Sequence, residues 1–280
     1  MPLITSGLWE VQTDAIPWAN VGAPTVAGQI KMLSDVGPAP GIEIIANGTR
    51  WRPRGGSQVL AQRSTNPITV QNLAMTLAET IGPFPGGLVR AGMRLEMTAE
   101  FGHSGIGTGT RVSQAMIGSS IWWHMQAATS GASLVGNRYA ALPVLSDTSD
   151  LHPRWASNTA SYTVGAIAST CSVDFSAPWS VSIWLQSCAE TAVAITGATW
   201  SGGVATFTAT AHTLATGDKT VIAGVTPSGY NVAAGAIVTV LTANTFTIPI
   251  ASDPGAYTSG GTSSRISNMR TDSYVLTLIG

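Results

Sequence analysis

Apolar and polar residues alternate with a period of two along much of the chain, the mark of strands with one buried face. The clearest case is Arg94–Phe101, where Leu95, Met97, Ala99 and Phe101 share one face and Arg94, Glu96, Thr98 and Glu100 the other. Trp179–Gln186 repeats the pattern, with Val181, Ile183 and Leu185 opposite Ser180, Ser182, Trp184 and Gln186. Further strands are expected at Val59–Gln62, Leu73–Leu77, Arg111–Ile117, Ser120–Met125 and Ala166–Phe175. A turn is expected at Gly82–Gly87, and Gly102–Gly109 reads as a glycine-rich hairpin. Many short strands at this spacing predict an all-β sandwich or jelly roll.

The pattern differs at the two flanks. Up to Ser57 the chain is irregular and rich in Pro and Trp, with strands expected at Gly28–Val36 and Ile42–Ile45. Asn47-Gly48 signals a type I′ hairpin into Thr49–Arg52, because both residues tolerate positive φ. Such a meander is too thin to stand alone. From Val193 to Gly261 the pattern predicts a hairpin, Thr199–Thr208, around Gly202-Gly203, and a turn at Leu214–Lys219. Strands follow at Thr220–Val225, Ala236–Leu241 and Phe246–Ile250, then a loop over Thr258–Ser264 and a last strand at Ser273–Ile279. That strand needs a partner in the body. The expected organisation is therefore an attachment arm and short meander over 1–57, a jelly-roll-like body over 58–192 plus 262–280, and an inserted Ig-like β-sandwich over 193–261.

Composition sharpens this picture. Only 10% of the 280 residues are charged and the formal net charge is −1, against about 25% charged in an ordinary soluble domain. So few charges favour association, so a homo-oligomer is expected. Arginines cluster only at Arg50, Arg52 and Arg54, which is no footprint for nucleic acid. No apolar run is long enough for membrane insertion as a helix. The N-terminus lacks the pattern of a signal peptide, which points to synthesis in a cytosol. Cys171 and Cys188 fit no zinc spacing; buried free thiols are the first reading and a cross-strand disulfide the alternative.

Candidate chemistry is sparse. No Ser stands in a nucleophile-elbow context, and no carboxylate pair suits glycoside hydrolysis, so a non-enzymatic protein without cofactor or metal is expected. His212 is expected to bond to turn backbone, and His103 to sit on a solvated loop. Asp147, Asp150 and His152 form the densest polar cluster, read as loop capping or as a cation or sugar site. The sequence has nine tryptophans; Trp122-Trp123-His124 is expected to place one ring in the core and the other at an interface or ligand. Trp9 and Trp18 read as anchors of the N-terminal arm.

The segment from Ile195 to Gly261 resembles a module found in structural proteins of tailed bacteriophages. The resemblance is carried by Gly203–Thr208, Ala211–Lys219, Ile222–Asn231, Asn244–Thr247, Ala251–Ala256 and Ser259–Gly261, and departs at Val232, where the module usually has Gly. Ser34–Gly37 followed by Asn47–Pro53 is similar to the meander that precedes a fibre head, and Ile81–Leu95 with Thr110–Gly118 looks like the jelly-roll head itself. The resemblance implies a homotrimer on the virion, assembled in the host cytoplasm with other tail or capsid proteins. Its implied task is receptor binding at a host glycan or protein, as a tail fibre or spike. Capsid decoration as a head fibre or cement protein is the alternative, and polysaccharide depolymerisation the remotest.

Overall fold

A computed structural model describes residues 11–16, 30–33, 42–46, 51–53, 57–105, 109–128, 135–143, 154–157 and 173–280, with side chains over 57–105, 109–124 and 173–280. These residues are all-β, apart from one 3-10 turn at Ser228–Tyr230.

Four strands form the first sheet: β1 (Val11–Ile16), β2 (Ile30–Leu33), β3 (Ile42–Ala46) and β4 (Trp51–Pro53), in that order, with β1 parallel to β2 and the other pairs antiparallel. β3 and β4 pair antiparallel, as the expected hairpin requires, with Ala46 opposite Trp51. Asn47-Gly48, where the two-residue turn is expected, lies outside the described residues.

The body contains β5 (Ser57–Arg63), β6 (Ile68–Val70), β7 (Thr76–Phe84), β8 (Arg94–Ser104), β9 (Thr110–Ile117), β10 (Ser120–Ala128), β11 (Val135–Pro143), β12 (Arg154–Ser157) and β13 (Trp179–Gln186). It is completed by the last strand of the chain, β22 (Asn268–Ile279). One sheet runs β12-β11-β8-β22-β5, with β6 beside β22, and the other runs β10-β9-β13-β7. The chain thus passes β5, β8, β11 and β22 to one sheet and β7, β9, β10 and β13 to the other. This is the winding of a jelly roll, two Greek keys folded into facing sheets.

The alternation read from the sequence sets the inner faces. Leu95, Met97, Ala99 and Phe101 of β8, with Leu276 and Leu278 of β22, are buried against Ile81, Ala115, Ile117, Val181, Ile183 and Leu185. Phe101 meets Trp123 edge-on at 5.0 Å, and Trp179 lies between Phe84 at 4.6 Å and Phe175 at 5.2 Å. Two expectations are corrected here. The strand expected from Leu73 begins at Thr76 and runs through Gly82-Pro83 to Phe84, because a bulge opposite Ser180 absorbs the proline. The segment Gly102–Gly109 is no hairpin: β8 continues to Ser104 in one sheet and β9 begins at Thr110 in the other. Of the strand expected at Ala166–Phe175, only 173–175 are described, and they belong to no strand.

Between β13 and β22 the chain builds two more sheets. Their strands are β14 (Val193–Ala194), β15 (Gly197–Ser201), β16 (Val204–Thr208), β17 (Lys219–Ala223), β18 (Val232–Ile237), β19 (Thr239–Thr242), β20 (Thr245–Pro249) and β21 (Thr262–Arg265). The orders are β15-β16-β20-β19 and β14-β21-β17-β18. Phe207 stacks on Phe246 at 5.5 Å and meets Tyr230 edge-on at 5.8 Å in a core separate from that of the body. The first sheet has the strand order of one immunoglobulin sheet. In the second, only β21 follows β20, and β14 from the start of the segment takes the outer place. Gly202 and Gly203, both at positive φ (+57 and +87), make the tight turn of the β15–β16 hairpin. Ala236–Leu241, expected as one strand, divides at the buried Val238 and passes from one sheet to the other. The loop expected at Thr258–Ser264 contains β21, whose polar sequence hides it: buried Ser263 bonds Thr220 Oγ1 at 2.8 Å.

Candidate functional site

The described residues among those singled out from sequence form no common surface site. Trp122 and Trp123 are both in the core of the body, at 0% and 1% exposure. Strict alternation would have turned one outward. A bulge between Ile121 and Trp123 inserts Trp122 as an extra residue, so both rings turn inward and neither reaches a ligand at the surface of the single chain. His124 is half-buried on the opposite face, its Nδ1 3.0 Å from Gln114 Oε1. Asp147, Asp150, His152, Trp9, Trp18 and Cys171 lie outside the described residues. Cys188 is a buried free thiol, its Sγ 3.6 Å from Ser267 Oγ.

His212 accepts at Nδ1 from the Leu214 N–H (3.0 Å), which leaves Nε2–H to donate to the Thr242 carbonyl (3.0 Å). It is a structural histidine fastening a turn to β19. His103, expected on a solvated loop, is instead 1% exposed near the end of β8, and neither ring nitrogen has a hydrogen-bond partner among the described residues. Burial, then the charges of Arg111 and Arg270, lower its pKa to about 4.

A cleft of about 570 Å³ lies elsewhere, along the edge strand β15 and the loop that follows β20. Trp200 and Tyr257 line it, with Tyr230 behind them, and each polar tip is tied down. Trp200 Nε1–H donates to the Ile250 carbonyl at 2.7 Å. Tyr230 donates to the Gly255 carbonyl at 2.9 Å, and Tyr257 to the carbonyls of Ile195 and Gly260 at 3.2 and 3.1 Å. The rings are thereby fixed, so they can offer only their apolar surface. Burial, with the Asp253 carboxylate nearby, pushes the Tyr230 phenol up from its ordinary value.

Among the described residues, Asp253 is the one charged group lining the cleft. Its Oδ1 accepts from the Gly255 N–H at 2.9 Å, while Oδ2 has no bond among the described residues. Thr199 and Thr206 face each other across the β15–β16 register, with Thr208 beside them, and none of these hydroxyls has a partner among the described residues. Further across the sheet the threonines are already paired: Thr247 donates to the Thr239 carbonyl and Thr242 bonds Thr245. Sequence reasoning passed over this site. The available signal was the pair Thr206-Phe207-Thr208 and Thr245-Phe246-Thr247, whose phenylalanines are core and whose hydroxyls must then face out.

Chemically, the cleft can stack a ring face and exchange hydrogen bonds with a polyhydroxylated ligand. One carboxylate gives it no acid–base pair, and among the described residues no His/Cys/Asp/Glu group could hold a metal ion. No protein-family model, curated protein or solved structure matches this chain.

Proposed function

We propose that the chain is a non-catalytic virion surface protein of a tailed phage, a trimeric tail fibre or spike that binds the host receptor. The observation that carries the reading is the union of a jelly-roll body with a second sandwich that offers a weakly charged, aromatic-backed cleft. Rigid sheets that hold a preformed concave site suit adhesion, since little is lost in ordering the site on contact.

The outer face of the β10-β9-β13-β7 sheet supports self-association. Leu77 and Ile121 are 46% and 38% exposed there, and Trp184 and Met116 are half-buried beside them. On a chain with so few charges, such a face favours contact with other copies. Capsid decoration remains the second reading, favoured by the same low charge.

Competition for host cells tests the proposal. Purified chain added before infection is expected to slow phage adsorption in proportion to its concentration. Unchanged adsorption, together with greater heat resistance of capsids carrying the chain, would replace receptor binding with decoration.

A further inference from the structure

We infer that the cleft between β15 and the loop containing Asp253 and Tyr257 is a binding site for a neutral glycan. This rests on the adhesion reading and names its ligand class. The exclusions come from the lining itself. A lone carboxylate with no Lys, Arg or His beside it among the described residues repels sialylated or uronic-acid chains. It also falls short of the several oxygen ligands a hard cation takes. An apolar ligand would bury the Thr199, Thr206 and Thr208 hydroxyls without replacing their bonds to water, a net loss. A neutral sugar meets all these terms at once. Its hydroxyls donate to Asp253 Oδ2 while its C–H face covers Trp200 and Tyr257. The next sugar rounds the β15 edge to the threonines, which alternation places on the outer face of the β15–β16 pair.

Geometry adds to chemistry. The indole and phenol groups that line the cleft are pinned through their own polar atoms to the carbonyls of Ile195, Ile250, Gly255 and Gly260. The stacking surface is therefore ordered before any ligand arrives. Thr199 and Thr206 sit in register, so their hydroxyls project side by side from adjacent strands at a spacing of about 5 Å. That spacing lets a chain of linked sugars touch both in succession.

The test uses the intact chain on an array of neutral gluco-, galacto- and manno-oligosaccharides beside sialylated and uronic-acid glycans, followed by calorimetric titration of the best neutral binder. Neutral glycans are expected to bind. Asp253→Asn keeps an acceptor for the Gly255 N–H but removes the charge, and should weaken binding at least about tenfold. Thr206→Val is nearly isosteric and should weaken it several-fold without changing the thermal midpoint, so it serves even if the first variant folds poorly. Binding confined to acidic glycans, binding untouched by either variant, or no binding to neutral glycans at millimolar concentration would each overturn the site. The outcomes also separate this site from the broader reading. A chain that competes for host cells yet binds no neutral glycan loses only the site. A chain that binds through the cleft but never competes loses only the adhesion role.

Discussion

His103 lies within the body near the guanidinium groups of Arg111 and Arg270, its ring has no hydrogen-bond partner among the described residues, and it is held neutral. The unfolded chain takes up its proton near pH 6.5 and the folded chain only near 4, so between those values the unfolded state binds more protons. Stability is therefore full above about 6.5 and falls as the pH drops toward 4. Replacing His103 with Gln should flatten that slope, as read from denaturant midpoints at several pH values; an unchanged slope would remove His103 as its cause. The two core tryptophans make a second prediction. Neither indole N–H of Trp122 or Trp123 has a hydrogen-bond partner among the described residues. Trp123→Phe should then cost less than about 2 kcal/mol, because an unmet donor leaves with the lost volume, whereas Trp123→Ala should cost about 3–5 kcal/mol. The faces of β8 and β13 were legible because alternation is a local signal. Trp122 was not, since a single bulge residue reverses the count and the bulge belongs to the pairing with β9. His103 was hidden by the glycines on both sides, which read as a turn although β8 runs through them.

Two crossings of the chain join the body to the second sandwich, and they lie side by side. Ala189 bridges Ile266, the Ser267 N–H donates to the Cys188 carbonyl at 2.9 Å, and the Glu190 N–H donates to the Arg265 carbonyl at 2.7 Å. Arg265 then clamps the junction through Glu190 at 3.0 Å and Asp218 at 3.5 Å. Gly105, just past β8, is where this junction leaves no room: its φ is +93, and an added Cβ would collide with the Glu190 carboxylate. Because Arg265 holds that carboxylate, Gly105→Ala should cost at least about 2 kcal/mol by thermal unfolding, from strain and displacement together. Pairing Gly105→Ala with Glu190→Ala should recover part of the loss, and a purely additive pair would show that the two do not touch. At this scale the sequence revealed most strands but not their partners. A glycine run such as that after β8 reads as a turn in the sequence, yet nothing local distinguishes a hairpin from a passage between facing sheets. β21 escaped for the opposite reason: Thr262–Arg265 has no apolar face, and its place is fixed by pairing with β17 and by the buried Ser263 hydroxyl.

For the whole molecule, a jelly roll that receives its last strand only after some eighty further residues depends on a contact distant in sequence: β22 lies between β5 and β8. That arrangement was legible in outline, because Ser273–Ile279 is a strand without a local partner. The cleft was not, because it is assembled from an edge strand and a loop some fifty residues apart, and only folding sets Trp200 beside Tyr257. Self-association is argued from the low charge and the half-apolar outer face of the β10-β9-β13-β7 sheet. Light scattering should give the mass of three chains, and Leu77→Glu with Ile121→Glu should shift it toward one; a monomeric wild type would contradict that part of the reading. The central claim, that the chain is an adhesin on the surface of a virion, is tested most directly by labelling intact virions with antibody against residues 193–261 and imaging them. Label at the tail tip is the predicted result. Label over the head would transfer the chain to capsid decoration, and virions without label would contradict the account.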